Sequence, residues 1–315
     1  LDLEVVEGDL RDRASLRRAL AGCDALFHVA ANYTLWARDP RDLYETNVEG
    51  TRALLEEALA ARTPRVVYTS SVAVLAPPKP GAPPADERSE PVFEEIVGHY
   101  KRSKYLAEKA VRALWQRGLP VVIVLPSTPV GPRDIKPTPT GKIVVDFLSG
   151  RIPGYVETGL NIIDVEDCAE GHVLALERGR PGERYILGNE NLTLRAILET
   201  LADLALVPPP RFRVPYALAW LAGAFSTLGA RIRGRPPKVP LDGVRMSKKF
   251  MFFDPSKAQR ELGLPRTPAR EALRKAALWF CREGYVPEEI ARRAIPRLEA
   301  AAPLPAPVGE VEKIP

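Results

Sequence analysis

The stretch HYKRSKYLAEK (99–109) carries the spacing Tyr-x-x-x-Lys twice, as Tyr100 with Lys104 and as Tyr105 with Lys109. A free phenol titrates near pH 10, too high for a general base at neutral pH. An ammonium one helical turn away favours the phenolate and is expected to lower that pKa. Tyr100 can then exchange a proton with a substrate hydroxyl or carbonyl while a hydride moves on carbon. The segment TSS (69–71) closes an apolar run, and a serine hydroxyl there can hydrogen-bond the same substrate oxygen.

Helical geometry separates the two pairs. At about 100° per residue, Leu106, Ala107, Ala110, Ala113 and Leu114 gather on one side, with Tyr105, Lys109, Arg112 and Gln116 roughly opposite. Tyr105 and Lys109 are therefore expected in solvent. Tyr100 and Lys104 fall at the margin of the apolar face, where a catalytic pair is partly desolvated yet open to a cleft. The alternative for them is a boundary tyrosine beside a solvated lysine.

The elements around this helix read as an alternation. LEVVEGDL (3–10) reads as a strand, SLRRALAG (15–22) as a helix capped by Ser15 and stopped by Gly22, and DALFHVAA (24–31) as a buried parallel strand. A long helix follows over 40–62, then a strand over 65–75 and a proline-rich loop over 77–91. The doubled motif lies on a helix over 98–117, followed by strands at 119–126 and 183–189, with a short strand and a helix in NIIDVEDCAEGHVLALERG. This order predicts an α/β fold with a doubly wound parallel sheet, whose ligands lie beyond the carboxyl ends of the strands. From about residue 190 the pattern is mainly helical with proline breaks, a second lobe, and 301–315 reads as a disordered tail.

Bulk composition narrows the function classes. The 315 residues are 45% hydrophobic and 27% charged, with net charge +5. That suits a soluble globular protein with an anionic cofactor or substrate, and no nucleic-acid motif is present. Three scattered cysteines (Cys23, Cys168, Cys281) and three scattered histidines (His28, His99, His172) imply neither a disulfide framework nor a metal site. The cysteine usage points to a reducing, cytoplasmic compartment. His28 is expected to point into the fold.

In order, GDL (8–10), HVAA (28–31), NVEGT (47–51), YTSS (68–71), YKRSK (100–104), VGPRD (130–134) and NIIDVEDCAEGH (161–172) resemble the extended short-chain dehydrogenase/reductase family. The likeness runs to about residue 285. It implies a Rossmann-like domain binding NAD or NADP over 1–130 and 160–188, and a substrate lobe over 131–159 and 189–300. By position, Tyr100 resembles the catalytic acid/base, Lys104 the residue that binds the nicotinamide ribose and tunes the tyrosine, and Ser71 the substrate's hydrogen-bond partner. Asn47 resembles the asparagine that supports the active site, with a purely structural role as its alternative. Asp9 and Leu10 resemble adenine contacts, while Ala30, Ala31 and Ser70 resemble cofactor neighbours at strand ends. Pro126, Ser127 and Thr128 occupy the segment that lines the nicotinamide. Within the family, the chain is most similar to hopanoid-associated sugar epimerases and dihydroflavonol 4-reductases. That implies transient oxidation in an epimerase or, with the same residues, simple ketone reduction. The competing class is a non-catalytic nicotinamide-binding regulator or membrane-peripheral assembly protein on the same fold.

Two departures qualify the likeness. The sequence has no Gly-x-x-Gly-x-x-Gly run of the kind that cradles a pyrophosphate; its only Gly-x-x-Gly is Gly179 to Gly182. The family begins about two strands before Leu1, so the chain is expected to lack the first βαβ unit and to bind cofactor weakly. Leu160 stands where nucleotide-sugar epimerases carry a diphosphate-gripping arginine; Arg245 can serve instead, its alternative being a solvated surface arginine. This leaves room for a polyol or lipid-linked substrate. Residues 214–230 carry no charge and are flanked by Arg211, Arg213, Arg231, Arg233, Arg235 and Lys238. They read either as a buried helix of the lobe or as a face resting on anionic lipid. The family resemblance also implies a homodimer through the helices after residues 40 and 98.

Overall fold

The computed structural model describes residues 3–34, 39–152, 154–233, 237 and 241–301. In chain order the elements are α1 (Arg13–Leu20), β1 (Leu26–His28), α2 (Arg41–Tyr44), a π-helical turn (Glu45–Gly50), α3 (Thr51–Ala60), β2 (Val66–Thr69), α4 (His99–Gln116), β3 (Val121–Pro126) and β4 (Thr128–Val130). Then come α5 (Pro139–Leu148), β5 (Gly154–Tyr155), β6 (Gly159–Asp164), α6 (Val165–Arg178), β7 (Arg184–Leu187), β8 (Glu190–Thr193) and α7 (Leu194–Ala205). The chain continues through β9 (Phe212–Arg213), α8 (Tyr216–Arg233), α9 (Leu241–Met246), β10 (Phe250–Met251), α10 (Ser256–Glu261), α11 (Ala269–Arg282) and α12 (Glu288–Ala300). Apart from Ala301, the expected tail lies outside the described residues.

Strands β1, β2, β3 and β7 form a parallel sheet in that order. Their runs of Val, Ile and Leu are buried on both faces, as a parallel sheet with helices on each side demands. On one face Leu55, Ala58, Val66, Tyr68, Ile123, Ala107 and Val111 pack α3 and α4 against the sheet. On the other, Val67, Val122, Val124, Leu174 and Ala175 seat α6. Each Val, Leu or Ile side chain so removed from water contributes about 1.5–3 kcal/mol. This is the α/β Rossmann-like architecture expected from the alternation.

A smaller sheet lies beside it, in the order β10-β6-β4, with β8 antiparallel to β6. Residues 160–164, grouped in the sequence with the cofactor-binding part, therefore ladder with the second sheet. Ile162 packs among the helices of the lobe and Ile163 among the residues that seat α6.

Four local expectations are corrected. Residues 3–9 form no ladder; Leu3, Val5 and Val6 are exposed, because a strand needs a neighbour to accept its amides and none of the described strands supplies one. Asp12, not Ser15, caps α1, and Ser15 lies one turn in, bonded to the Asp9 and Asp12 carbonyls. The long helix of 40–62 is interrupted by the π-helical turn. A Cβ on Gly50, its last residue, would lie 2.8 Å from Leu10 Cβ, so the glycine lets Leu10 reach the core. Strand β2 stops at Thr69, because the Ser71 hydroxyl accepts the Ala73 amide and starts a tight turn over Val72–Val74.

Candidate active site

The ends of β2 and β3 and the first turn of α4 meet at one point. Gly98, immediately before α4, has φ +86°, a conformation costly for side-chain-bearing residues. It aims the first helical turn at the ends of the strands, and Tyr100 stands there half-buried with the Ser71 hydroxyl nearby. Burial raises the Tyr100 pKa, and only the Ser71 hydrogen bond opposes it. This corrects the expectation that Lys104 pulls the phenol down: desolvation dominates, and the Lys104 Nζ is turned to Thr69 and Tyr68. The neutral phenol, a proton donor, is the resting form.

Lys104 is buried within the same corner. Its Nζ donates to the Thr69 carbonyl at 2.8 Å and to the Tyr68 hydroxyl at 3.2 Å, and lies 4.8 Å from the Tyr68 ring centre. Burial lowers its pKa to about 8, with the Glu108 carboxylate opposing. At neutral pH it is an ammonium whose third N–H has no acceptor among the described residues.

Behind this corner lies a buried charge network that the sequence reading missed. The Ser70 hydroxyl donates to Glu108 Oε2 at 2.5 Å, and Glu108 Oε1 lies 3.0 Å from both Arg112 and Arg184. The signal was present, since Glu108 follows Lys104 by four residues and so faces inward with it. Ser70 turns its hydroxyl to Glu108 and donates its amide to the Val124 carbonyl. Tyr105, expected in solvent, is half-buried against Phe93 and the core around Val72; Lys109 is exposed and lies 5.1 Å above the Tyr105 ring.

Asn47 sits in the π-helical turn, a distortion that commonly marks a functional site. Its Oδ1 accepts the Asn32 amide, and its Nδ2 donates to the Asn32 carbonyl and to Ser103 Oγ. Ser103 in turn donates to the Tyr100 carbonyl. Asn47 thus ties the loop after β1 to the first turn of α4. His28 points inward, bonded to Thr51 at 2.8 Å, and burial lowers its pKa to about 3.

The remaining candidates lie around the strand ends. Asp9 is exposed and bonded to Arg11, whose guanidinium holds its pKa at about 2; Leu10 packs on the core. Ala30 is exposed and Ala31 half-buried after β1. Pro126 ends β3, Ser127 donates its amide to the Leu187 carbonyl, and Thr128 pairs with Ile162. Arg245 is half-exposed beside Asp242 at 3.4 Å. Leu160 packs against the core of the lobe.

A nicotinamide cofactor finds suitable partners at one end of this site. The unused Lys104 N–H suits a ribose hydroxyl, and the buried Ser127 hydroxyl has no hydrogen-bond partner among the described residues. No glycine-rich phosphate cradle occurs in the sequence to match it at the other end.

The profile of the NAD dependent epimerase/dehydratase family matches residues 1–188. The chain belongs to that family. Its members in this comparison include a candidate dihydroflavonol 4-reductase of Synechocystis sp., 47% identical over 293 residues, covering 91% of this chain and 84% of that protein. Sterol demethylase protein B of Methylococcus capsulatus is 35% identical over 288 residues, 91% of this chain and 87% of its own. The crystal structure of gox2253 superposes with a TM-score of 0.79 at 47% identity, covering 90% of this chain and 86% of that one. The protein is accordingly an NAD(P)-dependent oxidoreductase or epimerase of the extended short-chain type.

Proposed function

We propose that this chain is a carbonyl reductase acting on an apolar ketone. The observation that carries the reading is the neutral Tyr100 phenol, beside the Ser71 hydroxyl and four residues before a buried lysine on the same helix. The cofactor, when bound, supplies a hydride. Ser71 donates a hydrogen bond that orients and polarises the substrate carbonyl. Tyr100 passes its proton to the carbonyl oxygen as the alkoxide develops. Lys104, held by Thr69 and Tyr68, keeps a positive charge beside the resulting phenolate. Such proton transfer contributes about two to four orders of magnitude in rate. Core packing of Leu160, where a diphosphate-gripping arginine was sought, supports ketone reduction over nucleotide-sugar epimerisation. The sterol in the name of the Methylococcus relative fits an apolar substrate, as does the hopanoid link in the resemblance. NADPH oxidation with 2-decanone is the test: Tyr100→Phe is expected to lose at least about a hundredfold in kcat, and an unchanged kcat sinks the assignment.

A second reading concerns location. On α8, Leu218, Leu221, Phe225 and Leu228 are 46–71% exposed and recur at helical spacing, so the helix is not wholly buried in the lobe. Among the described residues no helix is long and apolar enough to cross a membrane. This stripe, with the basic residues flanking it in sequence, supports a face resting on anionic lipid. Flotation with phosphatidylserine vesicles tests it; recovery only in the pellet fraction removes the idea.

A further inference from the structure

A cavity of about 800 Å3 lies between the proline-rich loop and β10, within the size range of small-molecule sites. It begins at Ala73, two residues past Ser71, and at Lys101, next to Tyr100. Its walls are the proline-rich loop, Ile96, Val97 and the residues of β10. The lining is apolar except for its charged residues: Lys79, Lys101, Arg245, Lys248 and Lys249 against a single carboxylate, Glu95.

These cations are not equivalent. Arg245 faces Asp242, and Lys248 lies 4.5 Å above the Tyr216 ring. The Lys101 ammonium contacts only the Met251 sulfur, at 3.9 Å, and among the described residues no carboxylate pairs with it or with Lys249. Burial, and behind it the charge of Lys249, lowers the Lys101 pKa to about 8. An ammonium in apolar surroundings beside a second one is unfavourable until an anion joins them. Apolar walls without that anion leave both charges unbalanced, and an anion without an apolar body leaves Phe250 and Met251 lining a wet cavity.

We propose that this cavity is a binding site for an apolar molecule bearing one carboxylate or phosphate group, with the anion held between Lys101 and Lys249 and the body against β10 and the proline-rich loop. Because Ala73 and Lys101 of the cavity wall neighbour Ser71 and Tyr100 in the chain, the proposal narrows the substrate class of the reductase and rests on that reading. The ketone to be reduced then carries its own anionic anchor.

The test is isothermal titration of the full chain with decanoate, decyl phosphate, 1-decanol and decyltrimethylammonium. One charge-assisted contact of this kind predicts that at least one of the two anions binds about tenfold or more tightly than decanol. The cation is expected not to bind, and the stronger anion identifies the preferred headgroup. Lys101→Met should abolish the preference over decanol, and Lys249→Ala, a change at an exposed position, should weaken anion binding at least about threefold. Equal binding of decanol and both anions overturns the proposal, as does an undiminished preference in both variants. If Lys101→Met does not fold, Lys249→Ala alone decides. Turnover is read separately. Anion preference without any NADPH oxidation sinks the reductase and leaves the site standing, whereas turnover of 2-decanone without anion preference does the reverse.

Discussion

Helix α4 carries the same four-residue spacing twice, and the two copies have different surroundings. Five residues of offset turn Tyr105 about 140° away from Tyr100. Lys104 is buried and bonded to Thr69 and Tyr68, whereas Lys109 is exposed and rests on the Tyr105 ring alone. Tyr100 meets the Ser71 hydroxyl at the strand ends; Tyr105 packs against Phe93. Spacing therefore supplies a tyrosine and a lysine one turn apart, but not their chemistry. Desolvation, together with hydroxyls and carbonyls from other elements, turns one copy into a proton-transfer site.

The sharpest way to break this contrast is to remove each lysine in turn. Lys104→Met is expected to lower kcat by about two orders of magnitude or more in NADPH oxidation, since the Tyr100 phenolate then loses its counter-charge. Lys109→Met should stay within about twofold, the range of surface changes. Comparable losses in both variants would erase the distinction.

Next in size is the charge network behind Lys104. Glu108→Gln leaves Arg184 buried against a neutral amide, so urea unfolding should show a loss of about 3 kcal/mol. It also removes the carboxylate that holds up the Lys104 pKa, which should fall further below about 8. A variant as stable as the parent would show that the network contributes nothing.

A third effect is a pH slope. The folded pKa of Lys104 lies below its unfolded value of 10.5, so the unfolded chain binds more protons between pH 8 and 10. Stability from this group is fully present above the unfolded pKa and is lost as pH falls through about 8. Buried Tyr68 and Tyr100, whose pKa values are raised, reverse the trend above pH 10. Chemical unfolding from pH 8 to 10 should therefore show a rising contribution of at most about 1.4 kcal/mol per pH unit from each of Lys104 and Lys101, whose pKa is lowered alike, so the slope should fall by about half in Lys104→Met. The same slope in that variant would assign it elsewhere.

The smallest effect belongs to the second copy. Tyr105→Phe keeps the ring against Phe93 and should change stability by less than about 0.5 kcal/mol and kcat not at all. A large loss would mean that the two faces of α4 are less distinct than their burial shows.

Much of this site was legible in the residues. The helix over 98–117 is observed as His99–Gln116, and the strand over 119–126 as Val121–Pro126. Continuous apolar runs and helical periodicity report which faces are buried. Less legible were the features that depend on contacts distant in sequence. The π-helical turn that presents Asn47 has no local signature beyond Gly50, whose requirement comes from Leu10, forty residues away. Ser70 and Ser71 are adjacent and alike, and only the fold sends one to Glu108 and the other to Tyr100. The run at 3–10 reads as a strand, but a strand is completed by its neighbour.

The sequence by itself determined the alternation of strands and helices, the order of the motifs and the presence of a tyrosine, a lysine and serines in the spacing of the family. The tertiary structure alone decided that Tyr100 rests as a neutral phenol, that Lys104 is anchored to β2, and that Lys101 faces an apolar cavity without a counter-ion. The reason is that protonation states and unmatched charges depend on the solvent each group loses, and that loss is set by neighbours remote along the chain.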